Sequence, residues 1–210
     1  MSRHHIIISG TGRAGTTFLV QLLTALGLET GFTDTHSEVY PNCNAGMEWD
    51  IRDPNAPYII KNPWLCDYLD DVMESGDLII DHAIIPVRDL YSAAESRRDV
   101  SRRSDAANSP GVIRGGLWHT EIPKYQEAVL ANQQYKIIYT ISKRDIPLTL
   151  LSFPRLIHDS EYLYRKIEFV LNGIGYLRFQ EIFKQTAQPE LLHDFSPESI
   201  AAASSTAEGT

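Results

Sequence analysis

Residues 10–17 read Gly-Thr-Gly-Arg-Ala-Gly-Thr-Thr, the spacing G-x-x-x-x-G-x-[ST]. Residues of these types at this spacing can hold an anion. Glycines permit positive φ and a close approach of the backbone. Backbone N–H groups turned inward, together with the dipole of a following helix, attract negative charge. Gly12, Arg13, Ala14, Gly15, Thr16 and Thr17 are therefore the candidate phosphate-binding residues, with the two threonine hydroxyls as extra donors. The loop departs from the nucleoside-triphosphatase pattern G-x-x-x-x-G-K-[ST] at one place. Thr16 stands where that pattern has Lys, and Arg13 is the one cation in the loop.

The run Gly12-Arg-Ala-Gly-Thr-Thr-Phe-Leu19 resembles the 5′-phosphosulfate loop of sulfotransferases, whose common form is [KR]-x-G-T-[ST]. Its Arg form looks like the tyrosylprotein and many bacterial members. The resemblance implies a fold related to the P-loop nucleotide-binding proteins. It also implies transfer of a sulfuryl group from 3′-phosphoadenosine 5′-phosphosulfate (PAPS) to a hydroxyl or amine on a small-molecule or peptide acceptor, with no metal. The family's second motif is an Arg that ends a strand and a Ser eight residues later, which together bind the 3′-phosphate. Arg88, after Ile84-Ile-Pro-Val87, and Ser96 match that spacing. A fixed guanidinium fork suits a phosphate dianion through paired charge-assisted hydrogen bonds.

Tyr58-Ile-Ile-Lys61-Asn-Pro63 resembles the family's strand-end Lys. Cytosolic members read K-T-H there, with the His as general base. Pro63 stands at that place in this chain, closer to the K-x-P of the tyrosylprotein type. By this resemblance Lys61 and Arg13 neutralise charge on the sulfuryl group and the leaving nucleotide. The base is then expected shortly after the first helix, where Asp34, His36 and Glu38 are the candidates. Asp34 has the closest offset from Arg13, and His36 has the intrinsic pKa best suited to a base near neutrality. The family's late R-K-G adenine loop is not evident, although residues 148–163 look like its late strand-then-helix segment. By motif the resemblance covers residues 5–26, 58–63 and 84–100.

These residues need elements to hold them. His5–Ser9 is a short β-branched run, read as a buried parallel strand. Thr16–Leu26 reads as a helix, because Leu19, Leu22, Leu23 and Leu26 fall on one stripe, and Gly27 stops it. Residues 29–57 lack periodicity and are expected to form a long irregular segment with one short strand or helix. Further strands are expected at Tyr58–Lys61, Ala83–Val87, Tyr135–Ile141 and Leu148–Phe153. Helices are expected at Trp64–Glu74, Asp89–Arg103, Leu117–Asn132 (interrupted at Pro123), Asp159–Leu171 and Gly175–Lys184. Arg97, Arg98, Arg102 and Arg103 follow Ser96. They are expected to be solvated or paired with Asp99 and Asp105, with one or two adding positive field near the nucleotide. Residues 31–57 and 104–120 are expected to build the acceptor pocket, with Tyr40, Trp49 and Trp118 as lining aromatics.

Strands alternating with helices imply an α/β fold: three layers, α/β/α, around a mostly parallel sheet, with ligands at the carboxyl ends of the strands. The 210 residues suit one domain, here residues 1–188, followed by a Ser-, Ala- and Glu-rich tail, 189–210, expected to be frayed. The net charge of −8 argues against non-specific nucleic-acid binding. Cys43 and Cys66 form no C-x-x-C pair, which fits a reducing, cytoplasmic setting without a zinc site. The N-terminal apolar run is too short for a signal peptide or membrane span. Two other readings stand beside the sulfotransferase. A P-loop kinase would need the missing loop Lys and a magnesium-holding acid, for which Asp81 is the one candidate. A sulfotransferase-like protein that binds nucleotide without chemistry is the other.

Overall fold

The computed structural model describes residues 2–36, 38–40, 43–106, 115–192 and 195. Its frame is a four-stranded, all-parallel sheet in the order β4-β1-β5-β6, formed by β1 (Arg3–Ile8), β4 (Ile59–Lys61), β5 (Leu78–Val87) and β6 (Leu148–Ser152). Helices α1 (Thr16–Ala25), α2 (Leu65–Glu74), α3 (Leu90–Ala106), α4 (Gln126–Lys143), α5 (Arg155–His158), α6 (Ser160–Ile167) and α7 (Tyr176–Thr186) flank it. A small antiparallel ribbon, β2 (Val39–Tyr40) with β3 (Ala45–Gly46), stands apart from the sheet, two short strands where residues 29–57 were expected to hold one short element.

Alternation along β1 makes the three layers. Ile6 and Ile8 point to one face and pack with Leu19, Leu22 and Leu23 of α1 and with residues of α5, α6 and α7. Ile7 points to the other and packs with Leu65 and Leu69 of α2 and Ile137 and Ile141 of α4. A strand buried on both faces has no polar side, which is why this run reads as continuous β-branched residues. In register, Ile8 lies beside Lys61 and Ile84, and Val87 beside Ser152. The carboxyl ends of the strands therefore share one edge. That edge is tied together by Ser9 N–H donating to Ile84 O (3.2 Å) and Ser9 Oγ donating to Asn62 O (2.8 Å).

Several expectations are corrected. Residues 135–141, expected as a strand, belong to α4. Their β-branched content reads as strand locally, but Leu130, Gln133, Ile137 and Ile141 continue one buried stripe at three- and four-residue steps. The helix expected from Leu117 begins only at Gln126, after a 3₁₀ turn at Pro123–Tyr125. β5 starts at Leu78, five residues before the expected strand. The helix expected at 159–171 ends at Ile167 and gives way to a 3₁₀ turn at Glu168–Val170; Asp159 caps it by accepting from Tyr162 N–H (2.9 Å). Of the tail expected to begin at residue 189, Pro189–Leu191 forms a 3₁₀ turn. The rest, apart from Leu192 and Phe195, lies outside the described residues. No helix among the described residues is long and apolar enough to cross a membrane.

Phe179 of α7 is fully buried and packs edge-on against Tyr164 at 5.3 Å, while its neighbour Phe183 meets Phe18 of α1 at 5.6 Å. Phe179→Ala should cost about 3–5 kcal/mol of stability through the cavity it leaves. Urea unfolding checks this: the midpoint should fall without a change in slope.

Candidate functional site

The loop from β1 to α1 takes left-handed backbone at Gly12 (φ 67°), Arg13 (φ 56°) and Gly15 (φ 84°). Glycine is required at Gly12 for a second reason, since a Cβ there would lie 2.7 Å from Nη2 of Arg97. Gly15 is the N-cap of α1, with no side-chain cap and no acidic residue in the first turn. The first N–H groups of α1 therefore have no capping side chain, and the positive end of the helix faces a cavity of about 630 Å³. Gly12, Arg13, Gly15, Thr16, Thr17, Lys61, Arg88 and Ser96 all line that cavity, so the structure brings together residues far apart in sequence. Ala14, within the loop, is fully buried and does not line the cavity.

The cations are held by the backbone. Arg13 donates from Nε to Ser96 Oγ (3.0 Å) and from Nη1 to the carbonyl of Cys43. Arg88 donates from Nη1 to the carbonyl of Arg13 (2.9 Å) and stacks on the Phe153 ring at 4.8 Å. Arg97 donates to the carbonyls of Thr11 (2.7 Å) and Gly116 (2.8 Å) and lies 4.9 Å from the Trp118 ring centre. Its Nε is buried without a partner. No carboxylate pairs with Arg13 or Arg97 among the described residues. Burial lowers Arg13, and burial followed by the neighbouring Arg13 charge pulls Arg97 down to about 9. An arginine nevertheless resists losing its proton, so both side chains bring positive charge to the cavity wall.

Of the four arginines after Ser96, one or two of which were expected to add positive field near the site, Arg97 is the one that lines the cavity. Its neighbours do behave as expected in kind. Arg98 pairs with Glu95 (2.5 Å) and Glu127 (2.6 Å), Arg103 with Asp99 (2.9 Å), and Arg102 lies 3.6 Å from Glu95. Pairing with Asp105 lies outside the described side chains. The available signal for Arg97 was its place on the stripe Ala93, Arg97, Val100, which is the buried face of α3.

Lys61, at the end of β4, is 2% exposed. It donates to Gly46 O (2.5 Å), Thr17 Oγ1 (3.0 Å) and Glu48 Oε1 (3.1 Å). Burial lowers its pKa, and the Glu48 charge opposes that. The candidate bases stand elsewhere. Asp34, His36 and Glu38 are exposed, and none lines the cavity; Asp34 instead accepts from the backbone N–H of His36 (2.8 Å). Glu48 is the one acidic residue lining it among the described residues. Nothing in the irregular segment 29–57 distinguished Glu48 from its neighbours in sequence.

Of the aromatic residues expected around an acceptor, Tyr40 and Trp118 line the cavity, joined by Trp64. Trp49 instead packs toward Phe32 (6.1 Å between ring centres) and borders an adjoining recess of about 280 Å³. Asp81, the acid a kinase would need, lies within β5 beside the start of β1. It is engaged there by His4 (2.8 Å) and the Tyr58 hydroxyl (3.0 Å), toward the opposite end of the sheet. No protein-family model matches the chain, and no curated protein or solved structure matches it.

Two glycine substitutions separate backbone strain from crowding. Gly27→Ala, at φ 80° with nothing within 4 Å of the added Cβ, should cost about 1–2 kcal/mol. Gly12→Ala should cost roughly 1–3 kcal/mol beyond that, because Arg97 must also move. Equilibrium unfolding of both variants checks the difference.

Proposed function

We propose that the chain is a sulfotransferase that takes PAPS as sulfuryl donor and passes the group to a hydroxyl or amine acceptor. The observation that carries this reading is electrostatic. Arg13, Arg88, Arg97 and Lys61 converge on an uncapped helix N-terminus, and a single carboxylate answers them among the described lining residues. Such a cavity fits a ligand with more than one anionic group.

The residues present fit PAPS. Backbone N–H groups of residues 12–17 and the hydroxyls of Thr16 and Thr17 would hold the 5′-phosphosulfate in a P-loop-like cradle. Arg88 and Ser96 would hold the 3′-phosphate. They sit one hydrogen bond from the loop, through Arg13 O and Arg13 Nε respectively. PAPS supplies an activated sulfuryl group. Sulfuryl transfer needs mostly positioning and stabilisation of charge on oxygens, and Arg13 and Lys61 are placed for that work. Arg97 sets the loop by fixing the Thr11 carbonyl. The kinase reading has less support: Thr16 replaces the loop Lys, and Asp81 is committed far from the cavity. The two free thiols, Cys43 and Cys66, fit a cytoplasmic setting.

Calorimetry with adenosine 3′,5′-bisphosphate, AMP and ATP-Mg²⁺ tests the donor assignment. The bisphosphate should bind most tightly, and a preference for ATP-Mg²⁺ would sink the reading. Arg88→Ala should weaken the bisphosphate about tenfold to a hundredfold, the loss of charge-assisted hydrogen bonds, and leave AMP nearly unchanged. Equal losses for both ligands would contradict the 3′-phosphate role.

A further inference from the structure

Lys61 has three N–H donors and three acceptors, so every donor is committed. Two of those acceptors are fixed. Gly46 belongs to β3, and Thr17 lies in the first turn of α1. The third, Glu48, sits on irregular chain between β3 and β4, and its side chain is 21% exposed. Glu48 also lines both the large cavity and the adjoining recess, whose other walls include Trp64, Tyr68 and Asn62. The carboxylate therefore stands at the junction of an anion-binding chamber and a second opening.

We infer that Glu48 accepts the proton of the incoming hydroxyl or amine, and that Lys61 holds this carboxylate until an anion bound in the loop draws the ammonium away. The inference rests on the sulfotransferase reading and assigns that site its base and its order of events. A buried ammonium without a counter-charge is costly, so with the loop empty Glu48 must stay with Lys61. Thr17 is both a partner of Lys61 and a member of the loop, so an anion seated there lies within reach of the same ammonium. Once that anion neutralises Lys61, the lone pairs of Glu48 turn free toward the recess. An acceptor entering past Trp64 then meets an unengaged carboxylate. The acceptor O–H (or N–H) bond breaks and its proton passes to Glu48. The acceptor atom bonds to sulfur as the sulfur–oxygen bond to the 5′-phosphate breaks, and that electron pair stays on the phosphate oxygen. The products are the sulfated acceptor and adenosine 3′,5′-bisphosphate, and Glu48 returns its proton to water.

The test compares wild type with Glu48→Gln and Glu48→Asp, each checked for folding by thermal unfolding. Calorimetry with adenosine 3′,5′-bisphosphate reads the lock. Removing the competing carboxylate should tighten binding about fivefold or more in Glu48→Gln, while Glu48→Asp stays near wild type. Transfer of labelled sulfate from PAPS reads the base, using the best wild-type acceptor among 4-nitrophenol, glucosamine and tyramine. Glu48→Gln should lose about 10²–10⁴-fold in kcat, and Glu48→Asp should keep part of the activity. Bisphosphate binding that is unchanged or weaker in Glu48→Gln would overturn the lock. Turnover of Glu48→Gln within threefold of wild type would overturn the base. A wild-type protein that neither binds the bisphosphate nor transfers sulfate overturns the sulfotransferase reading and this inference together, whereas failure confined to the variants overturns the inference alone.

Discussion

Burial of positive charge at the carboxyl edge of the sheet is the constraint around which the rest is arranged. Arg97 and Lys61 are nearly inaccessible, and Arg13 is lowered by desolvation. Unpaired charges in such surroundings cost several kcal/mol each. The structure offsets that cost with backbone carbonyls, aromatic faces and, at Lys61, the Glu48 carboxylate. Thr11, Arg13, Cys43, Gly46 and Gly116 supply carbonyls, and Phe153 and Trp118 supply rings. Four cations and one acidic residue thus line the cavity among the described residues, in a chain whose net charge is −8.

The same contacts shape the glycine-rich loop. Arg97 and Arg88 hold the carbonyls of Thr11 and Arg13, which lie on either side of Gly12. With those carbonyls fixed, the left-handed turns at Gly12, Arg13 and Gly15 are over-determined by the surroundings, and the strain of a non-glycine residue at φ 56° is carried by Arg13. The packing of Gly12 against Arg97 leaves no room for a side chain at that position. Loop and cations are thus hydrogen-bonded to one another.

The walls come from the two least regular parts of the chain. Residues 43–48 bring the Cys43 carbonyl to Arg13, and the Gly46 carbonyl and Glu48 carboxylate to Lys61. Residues 115–118 bring the Gly116 carbonyl and the Trp118 ring to Arg97. The two walls meet where Gly115, at φ 75°, lies so close to Cys43 that a Cβ would approach it to 2.8 Å. Long irregular segments in a compact domain commonly carry function. Here their backbone groups satisfy buried charges that the regular elements leave unpaired.

Short-range pattern was enough to read β1, the turn, α1 and the strand-end positions of Lys61 and Arg88, because each is written in consecutive residues. The parallel α/β architecture followed from their order. Pattern of that range failed where a local preference competed with a longer one. The β-branched residues of 135–141 fold as helix because their buried stripe begins upstream at Gln126 and Leu130. It failed also for residues whose role depends on what lies across space. One or two of the four arginines after Ser96 were expected near the site, but only the fold of α3 selects Arg97. Glu48 was not singled out in sequence as Asp34, His36 and Glu38 were; the segment that follows the ribbon of β2 and β3 sets it beside Lys61. The amino-acid sequence by itself determined the glycine-rich loop and the strands that present it, since these rest on local backbone geometry and side-chain period. Only the tertiary structure decided which cations are buried, which carboxylate meets them and what walls the cavity, because desolvation and charge pairing depend on distances between segments that no local pattern encodes.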